Sequence, residues 1–318
     1  MTHFKRVMKL LCESASELEH LVAMAKPFAK EGKVADYIPA LSKVDGELLS
    51  VSLFYPDGCS YTAGDGNLIL TLQSISKVIT LALALMDRGE DFVFERVGQE
   101  PTGDPFNSIA KLETINPSKP LNPMINAGAL AITSMIRGQD GAERIDRILH
   151  FIHELTGNPG LSYNKKVALS EYDTSHLNRA LCYFMKQSGI INEDVEELME
   201  LYSKQCAIEM DCLSLAKMGC VFANDGKDPA SGHRLIPSDI ARICKTFMVT
   251  CGMYNASGEF AIKVGIPAKS GVSGGIMGSI PGKCGIGIFG AALDEKGNSI
   301  AGIRLLEMMS RKYSLSMF

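Results

Sequence analysis

The chain has 318 residues, of which 46% are hydrophobic and 21% are charged, and its formal net charge at pH 7 is −4. This composition predicts a soluble globular protein with a sizeable core. The slightly acidic balance gives no electrostatic reason to expect binding to nucleic acid or to an anionic membrane, and no apolar run is long enough to span a bilayer.

The N-terminal segment and the cysteines predict a cytoplasmic protein. Residues 1–6 lead into three glutamates between positions 13 and 19, so the segment lacks the core of a signal peptide. The nine cysteines form no Cys-x-x-Cys pair, and an odd number of them favours free thiols in a reducing compartment. His150 and His153 lack a nearby carboxylate pair, so surface or packing roles are favoured over metal binding. We therefore expect no metal and no cofactor.

The first predicted elements form a β-hairpin. Residues 47–55 are typical of a strand, the Pro-Asp-Gly segment 56–58 is typical of a tight turn, and residues 59–64 are typical of the returning strand.

Next along the chain, a serine and a lysine stand three residues apart. Ser74 opens an apolar segment rich in strong helix formers that stops at Gly89, which predicts a buried helix. Residues i and i+3 share a helix face, so Lys77 is expected to point back over Ser74. Burial and the helix dipole would lower the pKa of Lys77, and a neutral lysine can deprotonate a nucleophilic serine. The alternative is an N-cap serine with a solvated lysine.

Further helices are predicted in the middle of the chain and further strands towards its end. The predicted helices cover 141–155, the segment from Asn192 towards Tyr202, and the segment from Pro237 to near Gly252. The predicted strands cover 260–267, 284–293 and, after a turn at 294–298, 299–305.

Strands near both chain ends with helices between them predict an α+β fold. One mostly antiparallel sheet would be assembled from both ends, beside an all-helical lobe, with the active-site cleft between them. We expect one catalytic domain over 1–318, with an α/β lobe from about 1–70 and 256–318 and a helical lobe from about 71–255.

Residues 268–275 add a second candidate segment. Small residues here would let a strand edge approach a ligand closely, and Lys269 would supply a cation for a carboxylate. The Val272 and Ser74 amides would form an oxyanion hole. The alternative is a glycine-rich turn with a surface lysine.

Ser-x-x-Lys followed by Lys-Ser-Gly resembles the pattern of the penicillin-recognising serine enzymes, although the counterpart of their Ser/Tyr-x-Asn element, residues 202–204, lacks the asparagine. A fuller resemblance is to the serine-dependent glutaminase family, which belongs to the same superfamily. It rests on blocks at 34–39, 73–77, 122–129, 170–172, 178–179, 202, 252–254 and 269–275. The resemblance implies a three-layer, β-lactamase/transpeptidase-like fold and a homodimer or homotetramer.

The resemblance also implies roles for individual residues. Ser74 resembles the nucleophile, Lys77 its base, and Tyr202 the hydroxyl that relays protons near the leaving group. Lys269 supports the site. The residues expected to hold glutamine, besides Ser74 and Tyr202, are Tyr37, Gln73, Asn126, Glu171, Asn178, Tyr254 and the Val272 backbone.

The chemistry of the substrate agrees with this set. Glu171 suits an ammonium group, whereas Asn126 and Asn178 suit a carboxylate or help to orient the ammonium. Taken without the resemblance, Glu171 would be a charge near a helix N-terminus, Tyr254 a packing residue, and the asparagines capping or turn residues.

The sequence therefore predicts a glutaminase that converts L-glutamine to L-glutamate and ammonia through a glutamyl ester on Ser74. One alternative is a serine acylase of the β-lactamase or peptidase type. The other is a non-catalytic module that senses amino acids, against which the retention of both Ser74 and Lys77 speaks.

Overall fold

The computed structural model describes residues 15–36, 38–114 and 119–318 of the chain. Its α-helices are α1 Ala15–Ala25, α2 Ser76–Arg88, α3 Glu90–Arg96, α4 Ala110–Thr114, α5 Asn126–Met135, α6 Gly141–Thr156, α7 Lys165–Thr174, α8 His176–Gln187, α9 Val195–Cys206, α10 Cys212–Ala223, α11 Ser238–Cys251, α12 Ser257–Lys263 and α13 Ile300–Tyr313. Its strands are β1 Leu49–Phe54, β2 Ser60–Gly64, β3 Ile69–Thr71, β4 Glu209–Asp211, β5 Ala268–Ser270, β6 Gly275–Ile280 and β7 Cys284–Gly290.

The main sheet is assembled from both ends of the chain, as predicted. Its strand order is β2-β1-β7-β6-β5, and every neighbouring pair is antiparallel. The predicted hairpin is present, with Leu53 opposite Tyr61, and β1 pairs on its other side with β7, where Val51 lies opposite Ile288. The α+β prediction is therefore confirmed. Strands β3 and β4 form a separate antiparallel pair.

The alternation of residues along β7 explains how the layers pack. Successive strand residues point to opposite faces. Ile286 and Ile288 join the apolar cluster that contains residues of α1 and α13. On the other face, a Cβ added at Gly285 would lie 1.9 Å from the Ala216 carbonyl oxygen of α10. A row of glycines thus lets α10 lie directly on the sheet, which makes the three layers.

Helix α2 lies at the centre of the helical part. Its residues Ser76–Leu85 are all buried, and Gly89, with φ of 81°, follows its C-terminus. The helix packs against α5, α6 and α11, so it has helices on several sides and needs no polar face. The buried helix with a glycine stop is as predicted. No helix among the described residues is long and apolar enough to cross a membrane.

Two of the predicted strands lie wholly or partly in helices. Residues 299–305 begin α13, where the Ser299 side chain accepts a hydrogen bond from the Gly302 amide as an N-cap. Residues 260–263 belong to α12, and the next strand along the chain, β5, begins only at Ala268. Helix α9 is capped by Asp194 rather than by Asn192. Short apolar segments fit either period, so their pattern alone does not separate helix from strand.

Candidate active site

Ser74 lies on a strained turn at the start of α2. It is the middle residue of the 3₁₀ turn Gln73–Ile75, which runs directly into the helix. Gln73 has φ of 47°, a region that costs a residue with a side chain free energy. The turn is held by the Ser76 hydroxyl, which donates to the Gln73 carbonyl oxygen at 2.8 Å. Ser74 itself is 8% exposed.

Ser74 lines a cavity of about 260 Å³. The size suits a small polar molecule. The residues around it come from the segment before β1, from the turn before α2, from α5 and the segment preceding it, from α7 to α9, and from the turn after β5. They are Ile38, Gln73, Ser74, Phe106, Asn107, Asn126, Glu171, Thr174, Ser175, Leu177, Asn178, Tyr202, Cys206 and Val272.

Lys77 is fully buried directly beside the cavity wall. Its Nζ donates to the Met124 carbonyl oxygen at 3.2 Å and to Asn126 Oδ1 at 2.7 Å. Asn126 in turn donates through Nδ2 to Asn178 Oδ1 at 3.0 Å. Burial lowers the pKa of Lys77 to about 8, and the charge of Glu171 is among the groups that oppose this shift. A buried amine with such a pKa is available as a base near neutral pH.

Glu171 is the buried carboxyl group of the cavity. Burial raises its pKa to about 7, against the opposing effects of a hydrogen bond from Gln73, a hydrogen bond from the Cys206 thiol and the charge of Lys77. The Gln73 bond joins Nε2 to Glu171 Oε2 at 3.3 Å. A cation entering the cavity would therefore meet a carboxylate already held by two donors.

Two tyrosines lie in this region. Tyr254 has φ of 53°, and its hydroxyl donates to the Ser270 carbonyl oxygen at 3.2 Å, while a hydrogen bond from the Ser74 hydroxyl opposes the effect of burial on the pKa of Tyr254. Its ring stacks against Phe106 with ring centroids 4.8 Å apart. Tyr202 lines the cavity and is 2% exposed. Burial raises the pKa of both hydroxyls, so both are protonated donors.

The turn after β5 contacts the chain just before Ser74. The Ser273 hydroxyl donates to the Thr71 carbonyl oxygen at 2.6 Å. A Cβ added at Gly271 would lie 2.6 Å from the Leu72 carbonyl oxygen, so the two backbones pass very close to each other. This contact sets Val272 at the cavity wall beside Ser74.

Comparison with known proteins assigns this site to a family. The family model described as Glutaminase matches residues 32–318. The chain is 68% identical to a glutaminase of Shouchella clausii over 309 residues, which cover 97% of this chain and all of that protein. It is 64% identical to glutaminase 2 of Bacillus subtilis, again over 97% of this chain and all of the relative.

The chain belongs to the glutaminase family.

Solved structures of family members have the same fold. A Bacillus subtilis glutaminase in covalent complex with 5-oxo-L-norleucine, formed by reaction with 6-diazo-5-oxo-L-norleucine, is 43% identical and superposes with a TM-score of 0.88, covering 96% of this chain and 99% of that one. A Bacillus glutaminase in 4.3 M NaCl superposes with a TM-score of 0.89 at 44% identity, with the same coverage. The predictions of a glutaminase and of its fold are thereby confirmed.

Most of the residues that the resemblance to the glutaminase family implied lie together around the cavity. They are Gln73, Ser74, Asn126, Glu171, Asn178, Tyr202 and Val272, which line it, and Lys77 and Tyr254, which contact lining residues. Tyr37 lies outside the described residues. The roles given to these residues stay predictions.

Lys269 is not where a cation for a ligand carboxylate would lie. It is fully buried, and its Nζ donates to the Gly252 carbonyl oxygen at 3.1 Å and to the Ser270 carbonyl oxygen at 2.7 Å. Strand residues alternate between faces, and at position 269 the side chain points into the interior behind Tyr254.

Two residues of the cavity wall, Cys206 and Phe106, were not predicted from the sequence. Cys206 follows Tyr202 by four residues on α9, and i, i+4 neighbours share a helix face, so helical spacing could have placed it at the site. Phe106 precedes α5 in an irregular segment, for which no periodic signal exists. In the part of the chain that the structure describes, no three His, Cys, Asp or Glu side chains are grouped to hold a metal ion.

Proposed function

We propose that this glutaminase hydrolyses L-glutamine to L-glutamate and ammonia by acyl transfer to Ser74, with Lys77 as the base. The observation that carries the proposal is the Ser74 side chain at the cavity wall, together with a fully buried Lys77 whose Nζ is hydrogen-bonded to Asn126 of the same cavity. A covalent complex of a Bacillus subtilis relative with a product of 6-diazo-5-oxo-L-norleucine supports a nucleophile in the family site.

The hydrogen bonds of Lys77 suit a base. A neutral amine has two N–H donors and one lone pair. The Met124 carbonyl oxygen and Asn126 Oδ1 accept the two donors, so the lone pair is left to receive a proton. Ser74 loses that proton as its Oγ bonds to the side-chain carbonyl carbon of glutamine. The Ser74 and Val272 amides then stabilise the negative oxygen.

The cavity offers a complementary partner for each α-substituent of glutamine. Glu171 is the buried anion for the ammonium group. Asn178 uses Oδ1 to accept from Asn126, so its Nδ2 is the atom that can donate to the carboxylate. With both α-groups held, the side chain of glutamine reaches Ser74.

We assign the Tyr254 hydroxyl, rather than that of Tyr202, to the position next to the reacting atoms; a hydrogen bond from Ser74, which is among the effects on the pKa of Tyr254, supports this choice. In this scheme the C–N bond breaks as the departing nitrogen takes a proton from the Tyr254 hydroxyl. Lys77 then gives Tyr254 the proton that it took from Ser74. Water then attacks the ester and releases glutamate. Tyr202 lines the cavity and contacts bound substrate. We accordingly expect Tyr254→Phe to lower kcat and Tyr202→Phe to act mainly on KM.

The assembly and the compartment belong to the proposal as well. We expect a homodimer or homotetramer in the cytoplasm, with 1–318 acting as one catalytic domain. The two largest apolar clusters of the described residues, one mainly helical and one around the main sheet, support the two-lobe arrangement of that domain.

An ammonia-release assay tests the proposal. Ser74→Ala is expected to lower kcat/KM for glutamine by at least about a thousandfold. Lys77→Arg should be similarly inactive, because arginine keeps the charge but cannot be deprotonated. Appreciable activity of the arginine variant would contradict the role of base. Hydrolysis of a chromogenic β-lactam at a rate similar to that of glutamine would instead favour the broader acylase.

A further inference from the structure

Lys269 is a buried lysine without a matching anion. Its side chain is fully buried on β5, and no carboxylate of the described residues lies within salt-bridge distance of Nζ. Burial and the nearby charge of Lys77 both lower the pKa of Lys269. A buried lysine is costly unless its donors are satisfied, so its retention calls for a physical reason.

Three electron-rich groups surround the Lys269 Nζ atom. The carbonyl oxygens of Gly252 and Ser270 accept hydrogen bonds at 3.1 and 2.7 Å. The third neighbour is the ring of Tyr254, whose centroid lies 4.5 Å from Nζ, within the range of a cation–π interaction. The two carbonyl oxygens thus satisfy two N–H donors of the buried Nζ, which therefore does not need an anion beside it.

The same contacts hold Tyr254 in an unfavourable backbone conformation. The Ser270 carbonyl oxygen accepts from the Tyr254 hydroxyl as well as from Lys269. The Gly252 carbonyl oxygen accepts from the Ser270 amide at 3.0 Å, which ties the segment before Tyr254 to β5. Tyr254 has φ of 53°, and a residue with a side chain keeps such a value only where its surroundings impose it.

We propose that Lys269 is a positioning residue for catalysis, which holds the Tyr254 ring and the Ser270 carbonyl so that the Tyr254 hydroxyl stays against Ser74. The inference rests on the proposed function, because it assumes that Tyr254 acts at Ser74. Lys269 itself touches neither the cavity nor the substrate. It acts on the reaction only through the placement of Tyr254.

A double-mutant cycle tests this coupling. Lys269→Met keeps the length of the side chain and removes its N–H donors, and a misplaced hydroxyl is expected to lower kcat by about a hundredfold. KM for glutamine should stay within about threefold, because Glu171 and Asn178 are unaffected. Adding Lys269→Met to Tyr254→Phe should cost little more than Tyr254→Phe alone, since the hydroxyl to be positioned is already gone. Lys43→Met, at an exposed lysine, is the control.

Each result separates the claims. The positioning role would be overturned if the fold-losses in kcat of the two single variants multiplied in the double variant, or if Lys269→Met had the kcat of the parent. Either result would leave the proposed function intact. A parent-like kcat in Tyr254→Phe would instead remove the role of Tyr254 and the inference with it. If Lys269→Met does not fold, Lys269→Gln replaces it in the same cycle, since its amide can still donate to one carbonyl. Its kcat should then lie between those of the parent and Tyr254→Phe.

Discussion

At the scale of single residues, the site contains an acid and a base that burial moves towards the same pH range. The pKa of Glu171 is raised to about 7 and that of Lys77 is lowered to about 8. A shift of this size disfavours the charged form by on the order of 3 kcal/mol. The lowered pKa of Lys77 has a chemical consequence. A lysine that loses its proton near neutral pH can serve as a base, whereas an exposed lysine cannot.

These two pKa values predict the pH dependence of the reaction. The active form has Glu171 ionised and Lys77 neutral, so both groups must lose a proton and activity rises with pH. The logarithm of kcat/KM should rise with a slope of about two below pH 7, with a slope of about one from 7 to 8, and then level off. Initial rates of ammonia release between pH 5.5 and 9 measure this profile. Activity that falls across this range would contradict the assignment of both groups.

Glu171→Gln tests the ammonium site. The variant removes a charge-assisted hydrogen bond worth about 1.5–3 kcal/mol, so kcat/KM for glutamine should fall roughly ten- to a hundredfold. A substrate analogue without the α-amino group should be affected little, because it has no partner for the carboxylate. The variant should also lose the step near pH 7, and the remaining step should move below pH 8, because the charge of Glu171 no longer raises the pKa of Lys77. Equal losses on both substrates would show that Glu171 supports the fold instead.

At the scale of elements, the packing of α10 on β7 depends on glycine. The helix approaches the strand so closely that a Cβ at Gly285 would lie 1.9 Å from the Ala216 carbonyl oxygen and 2.2 Å from the Cys220 amide nitrogen. Both neighbours are backbone atoms, which cannot rotate away as a side chain would. The whole helix or the strand would have to move.

Gly285→Ala is therefore expected to destabilise the protein. Overpacking of this kind lowers the free energy of unfolding by about 1–3 kcal/mol or more. Gly258→Ala is the matched control, because Gly258 lies in α12 with no atom near its missing Cβ, and alanine should there be neutral or stabilising by up to about 1 kcal/mol. Urea unfolding of both variants provides the comparison. Equal stability of Gly285→Ala and the parent would show that the two elements are loosely packed.

The elements predicted correctly from the sequence are those whose residue pattern extends over several turns or consists of two strands joined by a recognisable turn. The apolar spacing over 141–155 spans four turns and gave α6, and a Pro-Asp-Gly turn between two apolar runs gave the hairpin of β1 and β2. Residues 299–305 were wrongly predicted as a strand, because seven residues are too few to distinguish the helical period of 3.6 from the strand period of two. The continuation of α13 to Tyr313, with Leu305, Leu306 and Met309 buried, makes its helical spacing visible.

At the scale of the whole molecule, the site joins segments that are far apart in sequence. Ser74 and Lys77 follow β3, Glu171 and Asn178 lie on successive helices of the middle segment, and Tyr254 precedes β5. Local spacing could relate the serine to the lysine, because both lie on one stretch of chain. It could not bring the Tyr254 hydroxyl to Ser74 or turn Lys269 inward, since both depend on strained backbone and on packing between distant elements.

The central claim is that Ser74 is the nucleophile, and covalent labelling with 6-diazo-5-oxo-L-norleucine tests it most directly. Peptide mass spectrometry of the labelled protein should find one adduct per chain, on the peptide that contains Ser74. Ser74→Ala, with its nine cysteines unchanged, should remain unlabelled. A label on any cysteine, or an adduct that persists in Ser74→Ala, would contradict the account.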